Sequence, residues 1–187
     1  MSFLKTRKYP LLFVITFVSL ALDQWTKLLV IQRFRLGETI SIIPEFFNLT
    51  YVRNTGAAFG MFAQADPAFR VPFFLIVPFV ALLAIGNLFR KLPDHDVWGS
   101  SALSLVVGGA VGNLIDRARL GYVVDFLDFH WKFQVHFPAF NVADAAICVG
   151  VGLLMLDLLK NPDHLSGEAE AATPNGSQET LKTESKQ

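Results

Sequence analysis

The sequence is poor in the features that build most extracellular and soluble catalytic domains. Of its 187 residues only one, Cys148, is a cysteine. A lone thiol cannot close an intrachain disulfide or build a thiolate metal centre, and Cys148 is expected to pack as a small residue within an apolar helix. Charged residues make up only 17% of the chain, and their formal sum is zero. No global field therefore draws in nucleic acid. G-x-S-x-G, H-E-x-x-H and phosphate-loop motifs are all missing. His130 and His136 share a loop but have no third ligand at metal spacing, so a zinc site is not expected. What remains is apolar: 52% hydrophobic residues and a mean hydropathy of +0.43, values of a membrane protein.

A bilayer core of about 30 Å needs about 20 apolar helical residues. Four segments meet this: about Pro10 to Ile31, Val71 to Phe89, Val97 to Ile115, and Ala139 to Leu159. Basic residues Lys5, Arg7 and Lys8 before the first segment resemble the start of a signal peptide. The small-residue cleavage pattern is missing and the apolar run continues past Asp23, which predicts a retained helix. Pro72 and Pro78 fall in the second segment, where neighbouring helices can satisfy freed carbonyls. The third is rich in glycine, and the Gly108/Gly112 spacing permits close helix approach. These features predict a membrane all-α fold of four transmembrane helices.

The first loop alternates Phe47, Leu49 and Tyr51 with polar or small residues, and the third alternates Trp131, Phe133, Val135 and Phe137 with polar ones. Both patterns predict short strands. With four spans the two loops share one side, so they are expected to form a small extracytoplasmic β element with aromatics at headgroup level. The basic cluster before the first helix favours cytoplasmic termini. Residues 1–160 then form the integral membrane domain, and the polar segment 161–187 is expected to be disordered.

Within so apolar a chain the acidic residues near membrane boundaries stand out: Asp23, Asp116, Asp125, Asp128 and Asp144. A charge at mid-bilayer costs at least about 2.5–3.5 kcal/mol on insertion scales, so Asp144, inside the last apolar run, needs a reason. Asp125 and Asp144 flank the third loop near one membrane face. Two carboxyls sharing a partly dry site cannot both ionise easily. One can act as base on a water while the other, protonated, polarises a carbonyl. Spacing alone leaves open a plainer role, in which each carboxyl caps a helix or pairs with Arg117 or Arg119. A proton relay through Asp23, Asp125 and Asp144 in a small proton-coupled transporter or channel subunit is a further alternative. Asp23 and Lys27, at i and i+4, are spaced to pair. Asn54 and Asn141 can donate to and accept from an extended peptide, or serve only to form a turn or a cap. Gly56 and Gly60 allow close backbone approach, although "RNTG" carries Asn54 where soluble aspartic proteases have an acid.

Taken in order, "DQWTK" (from Asp23), "RNTGAAFG" (from Arg53), "GNLIDR" (from Gly112), "VVDFLDF" and "FNVADA" resemble the motifs of the bacterial lipoprotein signal peptidases, or signal peptidase II. The resemblance implies an aspartic endopeptidase of the bacterial inner membrane, with both termini cytoplasmic and its active site near the outer face. It implies removal of the signal peptide from diacylglyceryl-modified prolipoproteins, with the cut just before the lipidated cysteine. By the same resemblance Asp125 and Asp144 are the catalytic pair. Asn54, Gly56, Asn113, Arg117 and Asn141 are substrate-pocket or support residues, and Asp23 and Lys27 stabilise the site. No cofactor, metal or nucleic acid is implied; the expected partners are the prolipoprotein substrates and membrane lipids, with the enzyme acting as a monomer.

Overall fold

The structure, a computed structural model, describes residues 7–56, 62, 65–131 and 135–160. The segment expected to be disordered, 161–187, lies outside them, as do Gly60 and Phe133. Eight elements follow one another: α1 (Lys8–Arg33), β1 (Thr39–Ile43), β2 (Phe47–Asn54), α2 (Pro67–Lys91), α3 (Val97–Leu120), β3 (Val123–Trp131), β4 (Val135–His136) and α4 (Val142–Lys160). Among the described residues four helices are long and apolar enough to cross a membrane. Their outer faces carry exposed large apolar side chains such as Phe13, Phe17, Phe79, Leu83 and Met155, which a bilayer would cover.

The helix α3 is central and packs against α1, α2 and α4. Its glycines make this possible. A Cβ at Gly112 would lie 2.5 Å from Asp23 Oδ2 of α1, and one at Gly109 would run into the carbonyl oxygen of Ala143 on α4. The close approach expected at Gly108 and Gly112 is thus met against α1. Phe89, Leu92 and Leu103 form one core, with Tyr9, Leu12 and Leu154 packed on it. There Lys8 is buried and donates to the carbonyl of Leu92 at 2.7 Å, closing the α2 C-terminus.

The strands form an antiparallel sheet in the order β1-β2-β3-β4. The pairing of β2 with β3, from Phe47↔Phe129 to Asn54↔Val123, joins the first and third loops as expected. A second core of Val30, Tyr51, Val124 and Phe126 ties this sheet to the end of α1.

Three details differ from the sequence reading. The strand that pairs with β2 is Val123–Trp131 rather than the alternating stretch around Trp131–Phe137. Residues 123–126 are buried throughout, and a strand covered on both faces has no alternation to read. The strand β1 is exposed at all five positions, so it too lacks a period; its place comes from backbone pairing with β2. Finally α4 begins at Val142 rather than near Ala139, because Phe140 is held as a bridge partner of Leu127.

Candidate active site

The chain enters the site through Gly121. At φ +78° it terminates α3 in the left-handed region that glycine adopts without strain. The chain then turns directly into β3, which puts Asp125 on a strand. Asp144 comes from the first turn of α4. It therefore lies less deep in the helix than an apolar run starting near Ala139 implies. This position removes much of the puzzle of a carboxyl in an apolar run: the first turn of a helix offers unpaired N–H groups and the positive end of the dipole. Asn141 and Asp144 cap each other. The Asp144 N–H donates to Asn141 Oδ1 at 3.0 Å, and the Asn141 N–H donates to Asp144 Oδ2 at 3.2 Å. The plainer role, helix capping, is thus real for Asp144, and it coexists with membership of a larger site.

Both carboxyls line one cleft of about 670 Å³, bounded by β2, β3, the 137–140 segment and α4. Each of their four oxygens accepts an N–H. Asn141 Nδ2 reaches Asp125 Oδ1 at 2.7 Å and Asn54 Nδ2 reaches Asp125 Oδ2 at 2.9 Å. Asn113 Nδ2 reaches Asp144 Oδ1 at 2.7 Å, and the Asn141 N–H completes the set. Asp125 is only 2% exposed. Burial, and then the neighbouring Asp144, push its carboxyl up to about 7, against the lowering effect of Asn54 and Asn141. A carboxyl so placed holds or releases a proton near neutrality, the range useful for acid–base chemistry.

The remaining residues expected from sequence surround this pair. Gly56 donates its N–H to Asn54 Oδ1 at 3.0 Å, and its carbonyl accepts from Arg117 Nη2 at 3.2 Å. The Arg117 guanidinium also lies 5.1 Å from the ring centre of Phe74, a cation–π contact. Behind the cleft, Lys27 pairs with Asp23 at 2.9 Å, as the i,i+4 spacing predicts. Cys148 differs from expectation: it is exposed, and it lines the apolar side of the cleft with Ala145 and Ile147. Asp128 stands apart, half-buried and bonded to Asn48 Nδ2 at 3.0 Å. Among the described residues no group of three or more His, Cys, Asp or Glu is arranged to hold a metal.

Sequence reasoning assigned no role to Asp116 and Gln24. Asp116 Oδ2 pairs with Lys27 at 3.0 Å and accepts the backbone N–H of Val124 at 3.1 Å, next to Asp125. Gln24 donates to both Asp23 and Asp116. One available signal was that Asn113 and Asp116, at i and i+3, share a face of α3.

A sequence model of signal peptidase II matches residues 15–160. The chain belongs to the signal peptidase II family. It is 50% identical over 153 residues to a lipoprotein signal peptidase of Syntrophotalea carbinolica, covering 82% of this chain and 93% of that one. It is 52% identical over 142 residues to one of Geobacter sulfurreducens, covering 76% and 87%. Its fold is similar to a bacterial membrane enzyme solved by the in meso method at 2.3 Å resolution. The TM-score is 0.73 at 34% identity, covering 87% of this chain and 94% of that one. This chain is accordingly a multi-pass membrane peptidase, and the transporter alternative is not favoured.

Proposed function

We propose that this peptidase is of the aspartic type and cleaves diacylglyceryl-modified prolipoproteins just before the lipidated cysteine, with Asp125 and Asp144 as its catalytic pair. The observation that carries the reading is the pairing of two carboxyls in one cleft, with every carboxyl oxygen held by an N–H donor. Asp125, the more deeply buried, carries the shared proton. Asp144 takes a proton from a water placed between them, and the resulting oxygen attacks the scissile carbonyl carbon. Asp125 gives its proton to the carbonyl oxygen. Collapse of the tetrahedral intermediate returns a proton to the leaving amine and breaks the C–N bond. No metal or cofactor enters this scheme.

The apolar wall of Ala145, Ile147 and Cys148 suits acyl chains, and Asn54 and Arg117 border the peptide's path. Our reading places the protein in the bacterial inner membrane with both termini cytoplasmic. The basic residues Lys8, Arg90, Lys91 and Lys160 lie at helix ends remote in sequence from the strands, but Arg33, Arg117 and Arg119 at the opposite ends balance them, so the orientation rests on the basic cluster that precedes the first helix. The cleft then opens near the outer face, where a lipid-anchored cysteine presents its peptide bond. Residues 1–160 form the catalytic domain and 161–187 a tail it does not require. Purified protein in detergent should release an intact signal peptide from a diacylglyceryl prolipoprotein and spare the unlipidated precursor. Equal cleavage of both would remove the lipid from the recognition scheme.

A further inference from the structure

The three asparagines of the site share one polarity: each turns its Nδ2 toward a carboxylate. An amide can be reversed by rotation about its last bond, so each orientation needs a cause. For Asn54 it is the Gly56 N–H on its Oδ1, and for Asn141 the Asp144 N–H. Both of these are local backbone groups. For Asn113 the cause is remote: Lys27 Nζ lies 2.9 Å from its Oδ1. An ammonium has only N–H donors, so the atom facing it must be the oxygen. The same Oδ1 also accepts from Asn141 Nδ2 at 3.2 Å.

We infer that Lys27 is a positioning residue of the catalytic pair, whose ammonium pins the oxygen of Asn113 and so turns that residue's Nδ2 onto Asp144. The inference rests on the dyad reading above and assigns Lys27 a part in it beyond its ion pairs. The three donors of Lys27 meet Asp23, Asp116 and Asn113, and its side chain is 3% exposed. The groups that face this ammonium are thus Asp23 on its own helix and Asn113 and Asp116 from α3, and its charge also acts on Asp125 of β3. With the lysine gone, only the longer contact from Asn141 Nδ2, at 3.2 Å, still holds that oxygen, and Asn113 can turn it toward Asp144, where two acceptors repel each other.

The test is kcat and KM measured separately on a diacylated prolipoprotein, with folding followed by thermal unfolding. Lys27→Met should lower kcat by at least about 10-fold with KM changed less than about 3-fold. Lys27→Arg, which keeps charge and donors, should recover part of the loss. Because Lys27→Met leaves Asp23 and Asp116 without their cation, Asn113→Asp is the second variant. It keeps an acceptor for Lys27 and replaces the donor facing Asp144, so it should show the same signature in a folded protein. Near-normal kcat in Asn113→Asp would overturn the inference, as would a Lys27→Met that loses only thermal stability. If Asp125→Asn or Asp144→Asn stays active, the dyad reading itself fails; if both are dead while Asn113→Asp is normal, only the positioning role fails.

Discussion

Asn141 donates its side-chain amide to Asp125 across 2.7 Å while its backbone N–H and side-chain oxygen cap the helix that carries Asp144. One residue thereby sets the spacing of two carboxyls that come from a strand and a helix. The arrangement has separable consequences for chemistry and for stability.

Asn141→Ala should impair both. Losing a hydrogen bond to a charged group is worth about 1.5–3 kcal/mol, or about 10- to 100-fold in kcat. Losing an N-cap side chain costs about 0.5–2 kcal/mol of stability. Asn141→Asp keeps the cap but adds a third acid beside Asp125, so it should regain thermal stability and little activity. Turnover and melting temperature measured on both variants separate the two roles.

The raised carboxyl of Asp125 makes stability depend on pH. The folded chain binds this proton more tightly than the unfolded one, with a value of about 7 against an ordinary 3.8. Its contribution is complete below the ordinary value and is lost as pH rises through about 7. The melting temperature of the wild type should therefore fall relative to that of Asp125→Asn over this interval and run parallel to it above. Activity should decline on the alkaline side of about 7, as the pair loses its shared proton. Parallel melting curves throughout would mean that Asp125 titrates normally.

Gly109 sits against the backbone of Ala143, one residue before Asp144. Gly109→Ala should push α4 from α3, destabilising by about 1–3 kcal/mol and lowering turnover more than the same change at Gly152, where an added methyl meets nothing within 4 Å. Thermal unfolding and cleavage rates of the two variants make the comparison.

Much of this was legible in the sequence, for physical reasons that vary by element. The four helices announce themselves because a bilayer demands long apolar runs. Lys27 and Asp23 are legible as a pair because both lie on one helix face. The strand β3 is illegible, since Val123, Val124, Asp125 and Phe126 are all buried and leave no alternation. Asp116 stands out in the sequence as a boundary acid, but its role is illegible there because its work is tertiary: it reaches Lys27 on another helix and the N–H of Val124 beyond the Gly121 turn. For Asn141 the sequence leaves peptide binding and capping both open, and its cap to Asp144 depends on where α4 begins, which is fixed by the bridge of Phe140 to Leu127.

The proposed topology and domain boundary have their own test. A reporter active only outside the cytoplasm, fused after Lys160, should be silent, and truncation after Ser166 should leave cleavage within a few-fold of the full chain. An active reporter would place the carboxyl terminus outside, and a well-inserted but inactive truncation would bring the tail into the site.

The dyad is tested most directly by turnover of the Asn variants on a lipidated prolipoprotein. Asn preserves the shape of the side chain but cannot ionise or transfer a proton. General acid–base catalysis is typically worth about 10²–10⁴-fold, and groups that act as a unit fail together. Asp125→Asn and Asp144→Asn should each lower kcat by at least about 100-fold, the double variant little further, with the protein still folded and substrate still bound. Asp128→Asn, outside the cleft, should stay within a few-fold of wild type. Near-normal turnover in either Asp125→Asn or Asp144→Asn would contradict the account and leave these carboxyls as structural partners of Asn141 and Asn113.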